Sequence, residues 1–221
     1  MVQHKTMTDF IRLATLSITA GLTFAQLSVR SAADPTVLFQ SDGQSIARNN
    51  NVVVMANVAG FNQGIGPELQ VGTLPGDWGL SIINAHTGNT AIRFSGSATG
   101  GSATFCCMDA FDVSIHVTST TQLSYWLYPQ QVNATFEKVD LHCTDGTTLH
   151  ALGGIYNFVD TTAPSHIPGQ IPVNAWSKIT CNVGKYLAGK TIDAIWIVYD
   201  HPNSYGQFRG YADDIYITSS P

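Results

Sequence analysis

The chain has 221 residues, of which only 11% are charged, and its net charge is −5 at neutral pH. The sequence contains no cluster of lysine and arginine, which argues against binding to nucleic acid or to an anionic membrane surface, whereas neutral glycans remain compatible. The length suits one β-domain with a sizeable core, and no second domain is indicated.

The first 33 residues differ in composition from the rest. A basic start precedes an apolar run over residues 13–29, followed by small residues that offer cleavage after Ala25 or Ala33. This pattern predicts a secretory signal over residues 1–33, with residues 34–221 as a single secreted module; a retained anchor helix is the alternative. Removal of the signal leaves seven basic and fourteen acidic residues, a net charge of −7.

Short apolar segments recur along the remaining chain between turns rich in Gly, Pro, Asn and Asp. The predicted strands cover residues 36–39, 91–95, 103–117, 122–128, 136–143, 149–153, 176–183, 191–199 and 207–218. Residues 49–79 and 156–172 are predicted to be long loops, which often carry function. Strands at this spacing, without helical periodicity, predict an all-β fold: an antiparallel β-sandwich of the jelly-roll type.

The most strongly patterned region is residues 189–218. Strict alternation places Ile192 and Trp196 on the same face of a strand that is apolar on both sides. In the next strand the same rule places Asp213 with Ile215 and sends Asp214 to the opposite face. A carboxylate in register with core residues is costly unless it reaches water or binds a cation, and both interpretations stay open at this point.

Signatures of catalysis are missing from the sequence. The nearest approach to a nucleophile elbow, residues 100–104, lacks the final glycine, and the chain has no phosphate-binding glycine loop and no His-Glu metal motif. The only glutamates are Glu68 and Glu137, which offers no evident carboxylate pair for glycoside hydrolysis. The histidines follow no spacing pattern and are expected to be solvated. We therefore expect no enzyme; an enzyme of unrecognised type would require several polar side chains that converge in one cleft.

Several predicted loop residues suit sugar binding, because aromatic rings stack on the C–H faces of sugars and a few polar groups orient the hydroxyls. The candidate carbohydrate-binding residues are Trp78, Tyr156, Asn157, His166, Asp200, Tyr205, Phe208 and Arg209. By contrast, Trp126 and Trp196 lie inside alternating strands and are expected in the core, and Trp176 is expected to be a packing anchor.

Four cysteines in an exported chain suggest disulfide pairing. Alternation places Cys107, Cys143 and Cys181 in phase with core residues, and Cys106 in the opposite phase. The preferred disulfide is Cys143–Cys181; buried free thiols are the alternative.

Seven segments taken together resemble a known family. They are residues 57–64, 85–102, 110–117, 120–129, 139–149, 174–193 and 199–217. Their order and spacing resemble the β-sandwich module that precedes the catalytic region in bacterial family-92 glycoside hydrolases, which are α-mannosidases. More broadly they resemble the galactose-binding-domain-like superfamily of carbohydrate-binding modules. The large region that holds the catalytic carboxylates in those enzymes has no counterpart here, so the resemblance implies a non-catalytic module.

The resemblance also implies a structural calcium ion, with matching positions at Gln40, Asp42, Asn89 and Asp213. An acidic residue is more usual where this chain has Gln40, which lowers the expected affinity. The sequence therefore predicts a secreted, lectin-like module that binds a neutral glycan. The rivals are a structural or adhesive domain without sugar binding and an accessory fragment of a family-92-type α-mannosidase. An exposed aromatic surface beside the long loops would favour binding.

Overall fold

A computed structural model describes residues 34–43, 46, 52–60, 67–72, 85–101, 104–152, 171–201 and 204–221. The predicted signal over residues 1–33 lies outside the described residues. Within the described ranges, no helix combines the length and the hydropathy that crossing a membrane requires.

The described residues form eleven strands and two single-turn helical elements. The strands are β1 (Thr36–Ser41), β2 (Val52–Ala56), β3 (Val58–Ala59), β4 (Glu68–Gly72), β5 (Ala91–Thr99), β6 (Thr104–His116), β7 (Thr121–Pro129), β8 (Glu137–Cys143), β9 (Ser177–Cys181), β10 (Thr191–His201) and β11 (Tyr205–Ser219). A 3-10 helix (Val132–Phe136) precedes β8, and a short α-helix (Gly184–Leu187) precedes β10.

The strands form two antiparallel sheets, which confirms the predicted antiparallel β-sandwich. In the seven-stranded sheet, β11 is central: β7 and then β9 lie on one side, and β5 and β1 share the other side along its first and second halves. The far edge of β5 pairs with β3 and β4. The four-stranded sheet has the order β2-β6-β10-β8.

The core lies between the two sheets and is built from the inward residues of each strand. Its centre includes a contact between the sheets, where the rings of Tyr199 on β10 and Phe208 on β11 stack with centroids 3.9 Å apart. Phe94 on β5 meets Phe208 edge-on, at 5.4 Å. Phe208 is 0% exposed, so the prediction that its ring contacts a sugar is wrong, because its position in β11 turns it inward.

Irregular pairing changes the faces that strict alternation assigns. In β10 the register shifts between Ile192 and Ala194, so Ile192 packs in the core although Trp196 on the same predicted face is half-buried and points outward. In β11 the register shifts between Asp213 and Tyr216, and Asp214 has a φ of 47°. One extra residue in a strand reverses the facing of all that follow, as β-bulges do.

All four cysteines are buried free thiols, so the predicted Cys143–Cys181 disulfide is not formed in the structure. The two residues end strands of different sheets, β8 and β9, and each is a small member of the core between them. Cys106 also belongs to this core, whereas Cys107 faces away from it, which reverses the predicted phases of the two.

Candidate functional site

The outer face of the four-stranded sheet concentrates charged and aromatic side chains. We call it the β10 face, because its residues lie on β10 and on the two neighbours of β10. Its members are Phe105, Cys107 and Asp109 on β6, Trp196, Val198 and Asp200 on β10, and Lys138, Asp140 and His142 on β8. In register, Trp196 lies between Asp109 and Asp140. Alternation within these strands projects every second side chain away from the core.

Asp200 and Lys138 of this face form a charged cluster with His150, which follows β8 in the chain. Oδ2 of Asp200 lies 3.5 Å from Nζ of Lys138 and 3.3 Å from Nε2 of His150. The Lys138 side chain is only 3% exposed, whereas those of Asp200 and His150 are 17% and 29% exposed. Burial lowers the pKa of Lys138, and the carboxylate of Asp200 opposes that shift. In this cluster the Lys138 ammonium group is buried, and the side chains of Asp200 and His150 reach the surface.

Asp140 fixes the position of His150 from beneath. Its Oδ1 accepts hydrogen bonds from the backbone N–H groups of Leu141 (2.8 Å) and His150 (3.0 Å). Asp140 is 1% exposed, and burial raises its pKa to about 6. The ring of Phe105 stacks on the ring of His150, with centroids 5.4 Å apart. Backbone, carboxylate and ring contacts together hold His150 in one orientation.

A second unit on the same face combines Trp196, His142 and Asp193. The imidazole of His142 stacks on the indole of Trp196, with centroids 4.6 Å apart and an interplanar angle of 24°. Oδ1 of Asp193 lies 2.6 Å from Nδ1 of His142, a short hydrogen bond that fixes the ring. The side chains of His142 and Asp193 are 26% and 38% exposed. The unit therefore presents an aromatic pair and a carboxylate to solvent.

The partly exposed residues of the β10 face are Phe105, His142, Trp196 and Asp200, whereas Cys107, Asp109, Lys138, Asp140 and Val198 are buried. Half-buried rings offer flat apolar contacts, and the charged cluster supplies donors and acceptors that are already held in place. Groups that are oriented before binding lose little conformational entropy when a ligand arrives.

Comparisons with known proteins do not assign the chain to a family. No family model matches the sequence, and no curated protein matches it. Solved structures with a related arrangement include the glycoside hydrolase domain of Endo-D from Streptococcus pneumoniae R6, at 18% identity and a TM-score of 0.43 over 70% of this chain. A carbohydrate-binding module of the β-sandwich superfamily aligns at 12% identity and a TM-score of 0.45 over 74% of this chain.

A third structure is the C-terminal family 22 carbohydrate-binding module of Clostridium thermocellum Xyn10B. It aligns at 9% identity and a TM-score of 0.40, over 83% of this chain and 93% of that one. The chain spans 20% of the Endo-D structure and 55% of the second structure. At these TM-scores and identities the similarities carry no conclusion about what this chain binds.

The structure separates the candidate sugar-binding residues predicted from sequence. Trp78, Tyr156, Asn157 and His166 lie outside the described residues. Asp200 lies in the charged cluster of the β10 face. Tyr205, which is 79% exposed, and Arg209, which is buried, belong to β11 in the other sheet. β10 and β11 follow each other in sequence but lie in different sheets.

Sequence reasoning missed most of the residues that form the β10 face. The sequence analysis expects Trp196 in the core and expects His142 and His150 to be solvated. One available signal was the alternation of polar residues in β8, where Lys138, Asp140 and His142 occupy every second position. The contacts of Asp200 with Lys138 and of His142 with Asp193 and Trp196 had no signal in the sequence, because each joins residues from different segments.

The aspartate predicted to bind calcium has other partners in the structure. Asp213 is 0% exposed, and its Oδ2 accepts the backbone N–H groups of His86 (2.9 Å) and Thr87 (3.1 Å). Its Oδ1 accepts the N–H of Asp214 (2.8 Å). Burial raises the pKa of Asp213 to about 6, against the effect of these hydrogen bonds. Asp213 therefore anchors the loop that contains His86.

Gly43, which follows the predicted ligand Asp42, lies beside this carboxylate: a Cβ at position 43 would come within 2.8 Å of Oδ1 of Asp213. The side chains of Gln40, Asp42 and Asn89 are exposed, and Nε2 of Gln40 donates to the Tyr216 hydroxyl (3.1 Å). In the part of the chain that the structure describes, no three His, Cys, Asp or Glu side chains are grouped to hold a metal ion. Calcium binding stays a prediction.

Proposed function

We propose that this protein is a non-catalytic carbohydrate-binding module that holds a neutral glycan on the β10 face. The observation that carries the proposal is the stacked Trp196–His142 pair next to the charged cluster around Asp200. A sugar ring has an apolar C–H face and a rim of hydroxyl groups, so its recognition requires both features side by side.

The polar groups of this face suit hydroxyls rather than a charged ligand. Asp200 has Lys138 and His150 beside it, and Asp193 is hydrogen-bonded to His142, so the accessible charges are already partnered. A carboxylate can accept a hydrogen bond from a sugar hydroxyl, and a charge-assisted bond of this kind is strong. Carboxylates at the surface disfavour a uronic acid or a sulfated sugar by like-charge repulsion.

A hydrolytic function has less support from the same residues. Asp140, which has a pKa raised to about 6, is 1% exposed and uses Oδ1 to bind two backbone N–H groups. A general acid must reach the leaving oxygen of its substrate, and Asp140 is beneath the surface. Its role in the structure is to position His150.

Binding to soluble polysaccharides tests the proposal. Native gels that contain mannan, xylan, xyloglucan or galactan should retard the wild-type protein in at least one case. Trp196→Ala and His142→Ala should each weaken that retardation at least several-fold, because they remove the stacking unit. Tyr205→Ala is the matched control, since it removes an exposed ring from the other sheet. Equal retardation of wild type and Trp196→Ala would contradict a site on the β10 face.

We further propose that the module is exported by residues 1–33, on the strength of the basic start and apolar run described above. Expression of the full chain in a secreting host should yield mature protein whose first residue follows Ala25 or Ala33. N-terminal sequencing of secreted material checks this, and an intact N-terminus that begins at Met1 would contradict it.

A further inference from the structure

The seven-stranded sheet carries a near copy of the Trp196 unit on its own outer face. His86 stacks on Trp126 with ring centroids 3.8 Å apart and an interplanar angle of 18°. Nδ1 of His86 lies 2.6 Å from Oδ2 of Asp214. The His86 side chain is 26% exposed, the same fraction as that of His142. Each outer face of the sandwich therefore bears a tryptophan, a stacked histidine and an aspartate that holds the histidine ring.

The His86 unit is fixed by contacts from two directions. Asp213 accepts the backbone N–H groups of His86 and Thr87, and Asp214 accepts the Thr87 hydroxyl at 2.6 Å. The positive φ of Asp214 and the register shift after Asp213 let two successive carboxylates reach the same loop. Strict alternation would send them to opposite faces. The bulge thus builds a rigid support for one imidazole ring.

Further rings extend this surface across three strands. In register, Trp126 on β7 lies beside Asp213 on β11, and the next pair on this face is Tyr128 with Tyr211, whose ring is buried. Trp176, directly before β9, meets Tyr128 edge-on at 5.4 Å and His86 edge-on at 5.7 Å. Trp126, Tyr128 and Trp176 are all half-buried, which leaves part of each ring open to solvent. The sequence had placed Trp126 in the core and Trp176 as a packing anchor.

We infer that the outer face of the seven-stranded sheet is a second carbohydrate-binding site, so that one module binds two glycan segments at once. This inference rests on the proposed function of the β10 face. The indoles of Trp126 and Trp176 supply the apolar contact. His86 and the exposed Lys178, the register partner of Trp126 on β9, supply polar contacts for hydroxyls.

Two sites on opposite faces of one sandwich have a consequence for extended ligands. The sheets lie between the two sites, so a short oligosaccharide occupies one site at a time, whereas two polysaccharide chains can be bound on either side. The module would then cross-link polysaccharides, and its apparent affinity for a polymer would exceed that of either site through multivalency.

The experiment uses wild type, Trp126→Ala, Trp196→Ala and the double variant. Each is run in native gels with mannan, xylan, xyloglucan and galactan, then titrated calorimetrically with the hexasaccharide of the retarding polysaccharide. We expect two sites per chain for wild type, one for each single variant and none for the double variant. Wild type alone should precipitate the polysaccharide. Each single variant keeps binding at its unchanged site, which shows that the variant is folded.

The outcomes separate the second site from the first. One site per wild-type chain, lost in Trp196→Ala and unchanged in Trp126→Ala, would overturn the second site and leave the proposed function intact. Binding lost only in Trp126→Ala would support a site on the seven-stranded sheet and overturn the β10 face as the primary site. No retardation of wild type in any of the four gels would contradict the proposed function, and the second site with it.

Discussion

Glu137 and Gly210 face each other across the interior of the sandwich. Glu137, on β8, is 2% exposed, and its carboxyl group occupies the space that a Cβ on residue 210 of β11 would need. Within the described residues, Oε1 of Glu137 has no hydrogen-bond partner. Burial raises the pKa of Glu137 well above its usual value. The contact therefore places the Glu137 carboxyl group against the backbone of Gly210 in an otherwise apolar part of the core.

The first prediction concerns this pair. Gly210→Ala should lower the free energy of unfolding by about 1–3 kcal/mol, because the added methyl group overlaps the Glu137 carboxyl group and the packed core gives way only partly. Urea denaturation measures the change. In a Glu137→Ala background the same substitution should cost much less, since the obstructing atoms are gone. Additive effects of the two substitutions would show that the groups do not touch.

Stability should depend on pH through the same carboxyl group. A carboxyl group whose pKa is raised by folding contributes its full stability below its unfolded pKa of about 4.5 and loses it as pH rises through the folded pKa. The melting temperature of wild type should therefore fall between pH 5 and pH 9. Glu137→Gln should fall less steeply, because it cannot ionise. Parallel curves for the two proteins would contradict the assignment to Glu137.

Asp140 and Asp213 add to the pH dependence in a lower window. Burial raises the pKa of each from 3.8 to about 6, so each loses stability as pH rises between those values. Melting curves of Asp140→Asn and Asp213→Asn collected from pH 4 to pH 7 should each be flatter than wild type.

The charged cluster around Asp200 gives a prediction with a matched control. Asp200→Ala should destabilise the fold by about 1–3 kcal/mol, because it leaves the Lys138 ammonium group, whose side chain is 3% exposed, without this carboxylate. Asp193→Ala removes a carboxylate from the same face, but its partner His142 is 26% exposed and stays solvated. Urea denaturation should show a clearly smaller loss for Asp193→Ala, and equal losses would contradict the role of burial.

How far the sequence predicted this fold depends on where alternation is unbroken. In β7, Leu123, Tyr125 and Leu127 face the core, as a regular strand requires, whereas Trp126, which the sequence analysis expected in the core, faces outward. Turn residues and apolar segments predicted where this strand and several others begin and end, to within a few residues. The all-β class and the sandwich followed from that spacing alone.

The faces of residues beyond a bulge could not be predicted in the same way. The register shifts in β10 and β11 depend on pairing with neighbouring strands, and that pairing has no local signal. The same holds for the units of His86 and His142. Each histidine contacts an aspartate and a tryptophan that are far away in sequence. No sequence motif with a fixed spacing therefore indicates either unit.

The cysteines should behave as unreactive core thiols. Burial raises the pKa of Cys143 to about 11 and those of Cys106 and Cys181 to about 12, so little thiolate is present at neutral pH. A thiol reagent should react slowly with native protein and with four thiols per chain in denaturant. A Cys143–Cys181 linked peptide in a non-reducing digest would contradict free thiols and support the predicted disulfide.

Calcium gives the remaining prediction. If an ion binds near Asp213 in the folded state alone, millimolar calcium should raise the melting temperature relative to chelator. Asp213→Ala should abolish that rise and should also lower the melting temperature in chelator, because the backbone of His86 and Thr87 loses its acceptor. Identical melting curves of wild type in calcium and in chelator would contradict calcium binding.

The central place of β11 in the seven-stranded sheet governs when that sheet can form. Its partners β1, β5 and β7 all precede it in the chain, and β1 is separated from it by most of the domain. A ribosome releases these three strands long before residues 205–219. The edges that pair with β11 therefore stay unpaired during synthesis. Contacts of such long sequence separation form slowly. Until residues 205–219 are released, the seven-stranded sheet lacks the strand that joins its two halves.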